Sequence, residues 1–246
     1  MKIIKIGLCG AYGNMGRAIE ACLINGTSFE LVSKLGSSAS TQQIFEACSA
    51  SDIIIDFSSP SSLEILTNAA GACGTKLLVG TTGLTTLHMD LLHALAEKTA
   101  VIYAPNTSIS ANLIAEFAAR AAKVLHNYDA EIIESHHRRK KDAPSGTAIM
   151  IGREIARARG IDFDENAVFD RSSRGVRAPN DIGFSSLRAG GIFGDNEAIF
   201  AGDNEMISIS CRAFSRNAFA EGALAAAKWL INKKPGLYSM MEVLDL

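Results

Sequence analysis

The chain has 246 residues, of which 48% are hydrophobic and 20% are charged, as expected for a globular protein with a sizeable core. Its 24 basic and 26 acidic side chains give a net charge of −2, which argues against general nucleic-acid binding. The five cysteines lack C-x-x-C or metal-ligand spacing, so they indicate neither a metal site nor a disulfide framework. We interpret them as small buried residues in a reducing compartment. No segment offers about 18 consecutive apolar residues and the N-terminus has no secretion signal, so we expect a cytoplasmic protein without a membrane partner.

The first predicted unit is a strand, a glycine turn and a helix. The apolar run Ile3–Cys9 leads into Gly10–Gly16, and a helix follows through Leu23 and stops at Asn25-Gly26. The three glycines are spaced G-x-x-G-x-x-G, which allows a tight turn, close approach to a pyrophosphate and close helix–strand packing. Glycine turns also serve plain packing, so the motif alone is a weak signal of a dinucleotide site. Its position at the start of a βα unit strengthens that interpretation.

The second predicted strand bears on the choice of cofactor. This strand, Phe29–Leu35, runs into Gly36-Ser37-Ser38 and has no acidic residue at the end where NADH enzymes bind the adenosine ribose. An acid there repels a 2′-phosphate, so its absence predicts use of NADPH at least as well as NADH. Lys34 is close in sequence, although alternation along a strand can direct its side chain to the other face.

Strands and helices continue to alternate to about residue 106. Helices are expected near Gln42–Cys48, Leu63–Ala70 and Leu87–Lys98, with strands at Asp52–Phe57, Lys76–Val79 and Ala100–Tyr103. This alternation predicts an α/β fold with a doubly wound, Rossmann-type parallel sheet, whose ligands bind beyond the carboxyl ends of the strands. The loops at those ends contain our candidate cofactor-binding residues: Gly10, Ala11, Tyr12, Gly13, Asn14, Met15, Gly80, Thr81, Thr82, Ala104, Pro105, Asn106 and Thr107. Gly80–Gly83 also fits a plain turn and helix cap.

The pattern changes after Asn106. A long apolar helix near Ala111–Leu125 precedes a strand at Ala130–Ser135, and turn-rich strands follow near Ile182–Arg188, Glu197–Ala201 and Met206–Ala213. These elements predict a second, α+β domain with a mostly antiparallel sheet. Between them, residues 161–181 form the least regular region, and we expect their charges to be solvated.

The segment Glu134–Ala148, ESHHRRKKDAPSGTA, concentrates the candidate chemistry. Its run His136–Lys141 carries two histidines and four fixed positive charges. Pro144 cannot continue a strand, and apolar residues recur at helical spacing after it, so a helix should begin near Ser145 and end at Gly160.

A helix start beside a basic run is suited to binding anions. The unpaired N–H groups at such a start, here at Gly146 and Thr147, can hold a carboxylate. A histidine in the same cluster is a candidate general acid. We therefore expect a small ligand with two carboxylates, although basic runs are also common as solvated loops.

The ordered motif Glu134-x-His136-His137-x-x-Lys140-x-Asp142-Ala143-Pro144-Ser145-Gly146-Thr147-Ala148 resembles the signature of the dihydrodipicolinate reductases. These enzymes, now called 4-hydroxy-tetrahydrodipicolinate reductases, belong to the lysine and diaminopimelate pathway. The resemblance spans nearly the whole chain and includes Gly10-x-x-Gly13-x-Met15-Gly16-Arg17, Asp56-Phe57-Ser58, Gly80-Thr81-Thr82-Gly83, Asn106-x-Ser108, Arg188-Ala189-Gly190 and Trp229-Leu230.

This resemblance implies roles for individual residues. His136 would be the proton donor or acceptor, Lys140 a second donor and carboxylate ligand, and His137 a substrate contact, with Gly146 and Thr147 holding a carboxylate. The implied reaction is the NADPH- or NADH-dependent reduction of 4-hydroxy-tetrahydrodipicolinate to tetrahydrodipicolinate. A cyclic imine accepts hydride more readily when its nitrogen is protonated, which suits these residue types.

The resemblance also implies the domain organisation. The dinucleotide-binding domain would comprise residues 1–106 plus 215–246, with the final helix, Phe219–Leu230, returning to it. An inserted domain, residues 107–214, would bind the dicarboxylate substrate and assemble a homotetramer through its sheet. The sequence departs from the family at Asn14, Gly36, Thr107 and Ser110, where relatives commonly have an arginine, an acid, an aromatic residue and a glycine.

Two other interpretations remain open at this point. Another two-domain dehydrogenase, acting on an amino acid such as aspartate or homoserine, would share the fold but not the run from His136 to Thr147. A cofactor-sensing regulator could grip nucleic acid through the basic run, although the net charge and the lack of aromatic residues in that run disfavour it.

Overall fold

The computed structural model describes residues 3–24 and 28–246, so the helix end predicted at Asn25-Gly26 lies outside the described residues. The chain divides into two compact units. The first comprises Met1–Ile109 with Arg216–Leu246, and the second comprises Ser110–Ser215.

Strands and helices alternate along the N-terminal part of the first unit, as predicted. In chain order they are β1 (Ile4–Cys9), α1 (Asn14–Ile24), β2 (Phe29–Leu35), α2 (Thr41–Ala50), β3 (Ile53–Asp56), a 3₁₀ turn (Pro60–Ser62), α3 (Leu63–Cys73), β4 (Lys76–Val79), α4 (Thr86–Ala96) and β5 (Ala100–Tyr103). The bounds of β2, β4 and β5 are those expected from the sequence.

The elements that follow belong, apart from the first residue of α5, to the second unit. They are α5 (Ile109–Val124), β6 (Asp129–His136), α6 (Gly146–Arg159), α7 (Phe163–Asn166), β7 (Ala167–Val168), α8 (Arg171–Arg174), β8 (Ile182–Arg188), β9 (Gly194–Ala201) and β10 (Met206–Ala213). Their sheet has the order β10-β9-β6-β8-β7. The sheet is mixed: β9 pairs antiparallel with β10 and β6, as predicted, whereas β6 and β7 both pair with β8 in parallel, which we did not predict. Since α6 lies between β6 and β8, a helical crossover brings the chain back in the same direction.

The chain then returns to the first unit. It adds α9 (Asn217–Leu230), β11 (Gly236–Tyr238) and α10 (Met240–Leu244). β11 pairs with β5, and the six-stranded sheet has the order β11-β5-β4-β3-β1-β2 with every pairing parallel. The doubly wound parallel sheet is thereby confirmed. We did not predict β11, since three residues are too few to show a strand periodicity. Within residues 3–24 and 28–246, we find no helix that is both long and apolar enough to cross a membrane.

The core of the first unit lies on both faces of its sheet. In β3, Ile53 and Ile55 belong to one buried cluster and Ile54 to another, and all three side chains are 0% exposed. Successive side chains of a strand point to opposite faces, so helices cover both sides. This double cover explains the continuous apolar run in the sequence, and it leaves the ends of the strands as the accessible part.

The sheet of the second unit is buried on one face. Ala130 and Ile132 of β6 belong to the core that α5 and α6 cover. The next residue of the strand, Ile133, points to the other face and is 40% exposed. The strand register places Leu187 and Met206 on the same side as Ile133, and both are also exposed. This outer face therefore presents several apolar side chains.

The charges of residues 161–181 are less solvated than we predicted. Arg171 donates to Asp181 at 2.7 Å and to Glu131 at 3.3 Å, and Arg177 pairs with Asp129 at 2.8 Å. Asp129 and Glu131 are two residues apart on β6, so both side chains lie on the same face of the strand. Their ion pairs attach residues 161–181 to the sheet.

All five cysteines are free thiols. Cys9 and Cys48 are buried, and burial raises the pKa of Cys48 to about 12. Cys73 is exposed, contrary to our prediction, because it lies at the end of α3.

Candidate active site

Three loops meet at the carboxyl edge of the parallel sheet. They follow β1, β4 and β5, which lie close together in one sheet with β3 between β1 and β4. A cleft of about 340 Å³ is lined by residues from all three loops. Eight of the candidate cofactor residues line it: Gly13, Asn14, Met15, Gly80, Thr81, Thr82, Pro105 and Thr107.

The glycine loop after β1 is shaped by close backbone contacts. Gly10 has φ of +73°, in the left-handed region, and a Cβ there would collide with the carbonyl of Phe57. A Cβ at Gly16 would collide with the carbonyls of Gly10 and Ala11. The loop therefore requires glycine at Gly10 and Gly16, and its backbone at the start of α1 fits a pyrophosphate.

A larger cleft of about 840 Å³ continues on the side of β2. Gly10, Tyr12 and Gly13 line it, as do Gly36, Ser37 and Ser38. Among the described residues that line it, none is acidic. The Nζ of Lys34 donates to Glu20 of α1 at 3.0 Å, so this ammonium group is already paired with a carboxylate.

The candidate cofactor residues Ala11, Ala104 and Asn106 support the loops rather than line the clefts. Ala11 and Ala104 are buried. The Oδ1 of Asn106 accepts from the N–H of Ser108 at 3.0 Å. The Oγ1 of Thr107, which also lines the smaller cleft, donates to the carbonyl of Phe219 at 2.7 Å and so fixes its loop to α9.

Asp56 is a residue to which we had assigned no role. It ends β3 and is 0% exposed. Its carboxylate accepts from the Thr81 hydroxyl at 2.7 Å and from the Ser58 N–H at 3.2 Å. Burial raises the pKa of this carboxyl, and the bonds from Ser58 and Thr81 only partly oppose that effect. Asp56 thus ties the loop after β3 to the loop after β4, and its position at the end of an apolar strand was the available signal.

In the second unit, a loop connects the end of β6 to the start of α6. The helix begins beside Ser145, as predicted. Ser145 is its N-cap, and its Oγ accepts from the N–H of Ala148 at 3.2 Å. Gly160 is the C-cap, with φ of +67°. Gly146 is exposed, and we find no acceptor for its N–H among the residues that the structure describes. The helix start therefore has a backbone donor available for an anion.

Glu134 is the hub of this region, with a side chain that is 1% exposed. Its carboxylate accepts from Arg188 at 2.6 and 2.8 Å, from the Nδ1 of His136 at 2.6 Å, and from the N–H of Ser145 at 3.1 Å. Burial acts to raise the pKa of Glu134, but the bonds from Arg188, Ser186 and His136 outweigh it, so the pKa lies below its usual value. The carboxylate is ionised and can only accept hydrogen bonds.

His136 is therefore held in a defined state. Since Glu134 only accepts, the Nδ1 of His136 carries a proton and Nε2 is left for an external partner. Burial lowers the pKa of His136, Glu134 raises it, and the positive charges of Lys140 and Arg188 lower it. The net pKa lies below the ordinary value, so the imidazole without a ligand is neutral at pH 7.

The other candidate substrate residues lie along the same loop and helix. The Nζ of Lys140 donates to Asp142 at 2.8 Å, so an incoming carboxylate would compete with an exposed one. The Nδ1 of His137 is buried and has no hydrogen-bond partner in the described part of the chain. Thr147 follows Gly146 in the first turn of α6. Glu134 connects this helix start, through Ser145, to His136.

Comparisons with known proteins agree with this architecture. The family descriptions "Dihydrodipicolinate reductase, N-terminus" and "Dihydrodipicolinate reductase, C-terminus" match residues 4–107 and 110–244. The 4-hydroxy-tetrahydrodipicolinate reductase of Rickettsia bellii is 43% identical over 240 residues, covering 98% of this chain and 94% of the relative. The enzyme of that name from Granulibacter bethesdensis is 40% identical, covering 99% and 97%.

A solved structure of a dihydrodipicolinate reductase also matches this chain. The dipicolinate-bound dihydrodipicolinate reductase of Paenisporosarcina sp. TG-14 matches with a TM-score of 0.78 at 25% identity, over 98% of this chain and 99% of that one. The diaminopimelate dehydrogenase of C. glutamicum, at 13% identity and a TM-score of 0.59, shares the fold alone. The two family matches together span nearly all of the described residues, and this chain belongs to the dihydrodipicolinate reductase family.

Proposed function

We propose that this protein reduces 4-hydroxy-tetrahydrodipicolinate to tetrahydrodipicolinate with NADPH or NADH, a step of lysine and diaminopimelate biosynthesis. The observation that carries the proposal is the group formed by a buried Glu134, the imidazole of His136 and the start of α6. The names of the Rickettsia and Granulibacter relatives support this reaction. The dipicolinate bound to the Paenisporosarcina reductase supports a cyclic dicarboxylate as the ligand. Dehydrogenases of aspartate or homoserine are not favoured by these matches.

The first unit would bind the dinucleotide. The glycine cradle Gly10–Gly16 and the start of α1 suit its pyrophosphate, and the loops Gly80–Thr82 and Ala104–Thr107 suit its nicotinamide half. When bound, the reduced nicotinamide supplies the hydride. The cleft beside Ser37 and Ser38 has no acid among its described lining residues, so it lacks the usual device against a 2′-phosphate. We therefore expect the protein to use NADPH at least as well as NADH.

The second unit would bind the two substrate carboxylates. Lys140 offers an ammonium group, and Gly146 and Thr147 offer N–H groups and a hydroxyl at a helix start. Each charge-assisted hydrogen bond contributes about 1.5–3 kcal/mol, whereas the helix dipole contributes about 0.3–1 kcal/mol. The direct contacts, above all that of Lys140, therefore determine the affinity. The buried nitrogen of His137 lies in the same loop and supports its role as a substrate contact.

His136 would supply the proton. A dianionic substrate favours the charged form of a nearby imidazole, so its binding raises the pKa of His136 from the low value of the free protein. Glu134 keeps the proton on Nδ1, and Nε2 then carries the proton that is transferred. In the balanced reaction the substrate gains one hydride and one proton and releases its hydroxyl as water.

The units and assembly follow from the same proposal. Residues 1–106 plus 215–246 would form the dinucleotide-binding domain, and residues 107–214 the domain for substrate and oligomerisation. The exposed Ile133, Leu187 and Met206 on one face of the second sheet support a homotetramer assembled through that face. We place the enzyme in the cytoplasm, in keeping with its free thiols. Sedimentation that shows only a monomer at micromolar concentration would contradict the tetramer.

The reaction is tested by nicotinamide absorbance. Purified protein is mixed with NADPH or NADH and with the freshly made product of the preceding pathway enzyme, and absorbance should fall only when all components are present. His136→Gln should reduce turnover by roughly 10²–10⁴-fold, the usual contribution of a general acid, while melting like the parent. A folded parent that turns over neither cofactor with this substrate would overturn the proposal.

A further inference from the structure

Two residues outside the proposed catalytic set connect its parts. We propose that Glu134 and Arg188 act as a positioning pair, which fixes the tautomer of His136 and also holds the loop that leads into α6. The inference rests on the proposed function, because it assigns the pair to the proton donor and the carboxylate-binding helix start of that reaction. A single ion pair with a buried carboxylate would then align both halves of the substrate site.

The contacts of the carboxylate show how the tautomer is fixed. Arg188 binds both oxygens of Glu134, with Nη2 to Oε1 at 2.6 Å and Nη1 to Oε2 at 2.8 Å. Oε2 also accepts from His136, and Oε1 also accepts from the N–H of Ser145. These four bonds engage both oxygens of the ionised carboxylate, which can only accept. With Nδ1 of His136 obliged to donate, Nε2 is the nitrogen that exchanges protons.

The second set of contacts reaches the loop. Nη2 of Arg188 also donates to the carbonyl of Asp142 at 2.7 Å. At the other end of the loop, Ser145 is held by Glu134 and its Oγ lies 3.3 Å from the Oδ1 of the buried Asn196. The loop segment from Asp142 to Ser145 is therefore attached to the ion pair at both ends, at Asp142 by Arg188 and at Ser145 by Glu134.

The two members of the pair act on His136 with opposite sign. The charged groups that affect the imidazole are Glu134 of its own strand, Lys140 of the loop and Arg188 of β8. Asp142 is bonded to Lys140, and the adjacent position of β9 is Gly194, which brings no charge. Loss of the Glu134 charge removes an attraction for the proton, whereas loss of the Arg188 charge removes a repulsion and leaves the attraction of Glu134 opposed by Lys140.

The opposite signs provide the test. The full-length protein is labelled with ¹⁵N-histidine, and the signals of His136 are identified by their loss in His136→Gln. In the parent at high pH, Nδ1 should give the protonated and Nε2 the unprotonated signal. Glu134→Gln should move the His136 titration midpoint to lower pH, and Arg188→Met should move it to higher pH. A pair with only a structural role would not move the midpoint in opposite directions.

Kinetics and a matched control complete the experiment. Glu134→Gln should lower kcat by about 10–10²-fold, which is part of the contribution of a general acid. Because His136 must be protonated to act, the alkaline limb of the pH profile should shift with the midpoint. Glu134→Asp, which keeps the charge, should recover part of the loss. Glu131 lies on the same strand and is also paired with arginines, so Glu131→Gln should leave the His136 midpoint and kcat unchanged.

The outcomes separate this inference from the proposed function. A parent tautomer with the proton on Nε2, or midpoints that stay fixed or move together in the two variants, would overturn the positioning role. If Glu134→Gln does not fold, the parent tautomer and Arg188→Met still decide the question. Opposite shifts in a protein that does not reduce the substrate would retain the pair and reject the proposed function.

Discussion

The glycine that opens β9 offers a direct test of how His136 acts. Gly194 is buried, and a Cβ there would lie 3.1 Å from the Nε2 of His136 and 3.4 Å from its Cδ2. The imidazole cannot turn away easily, because its Nδ1 is bonded to Glu134 at 2.6 Å. Gly194→Ala should therefore displace the nitrogen that we propose exchanges protons with the substrate.

The expected loss follows from the size of the overlap. Atoms of this kind prefer a separation of about 3.5–4.0 Å, so the ring or the strand must move by roughly 0.5 Å. Since a misplacement of about 1 Å costs roughly 10²-fold, we expect kcat to fall about tenfold. Overpacking also costs about 1–3 kcal/mol of stability, so the assay should be run well below the melting temperature.

The assay compares kcat in the parent, in each single variant and in the double variant with His136→Gln. The alanine should have almost no further effect once His136 is replaced, because its target is gone. Gly191 provides the control, since a Cβ there would meet nothing within 4 Å and Gly191→Ala should stay within about twofold of the parent. A tenfold loss that persists in the double variant, or no loss in Gly194→Ala itself, would refute the reasoning.

Four further predictions concern substrate and cofactor. Lys140→Ala should raise KM and lower kcat, and its loss should be less than additive with that of His136→Gln; full additivity would show that the two act separately. Thr147→Val should weaken inhibition by pyridine-2,6-dicarboxylate, by up to about tenfold for one hydroxyl donor, and an unchanged inhibition constant would remove Thr147 from the site. In the parent, kcat/KM for NADPH should at least equal that for NADH, and a preference for NADH above about tenfold would contradict this. Gly36→Glu should shift the ratio toward NADH, because an acid at this position repels the 2′-phosphate of NADPH. The new Cβ would lie 3.0 Å from the ring of the exposed Tyr12, and movement of that side chain can accommodate it.

Elements with strong local signals were predictable from the sequence. The strand Phe29–Leu35 is bounded by turn residues, and α6 begins and ends at the cap residues Ser145 and Gly160. The direction of β8 was not predictable, because it depends on a crossover whose packing is decided by the tertiary structure. The short β11 has no periodic signal, and its strand state depends on pairing with β5.

The site divides in the same way. The loops at the strand ends and the basic run could be identified from the sequence, because their residue types indicate anion binding. The partners of Glu134 could not, because Arg188 is 54 residues away and reaches it only through the register of β6 and β8. The bond between Asp56 and Thr81 likewise depends on the adjacency of β3 and β4.

The return of the chain to the first unit has a consequence for synthesis on the ribosome. The core of that unit includes Ala220, Ala223 and Leu230 of α9, and β5 has β11 as its neighbour on one side. The ribosome releases α9 and β11 last. Until then, the N-terminal sheet lacks the part of its core that α9 supplies, and the edge of β5 is unpaired. Ser110–Ser215 is continuous and has its own core, so its residues are all present before the first unit can be completed. Cotranslational folding should therefore begin with the inserted unit and end with the unit that contains the first residue.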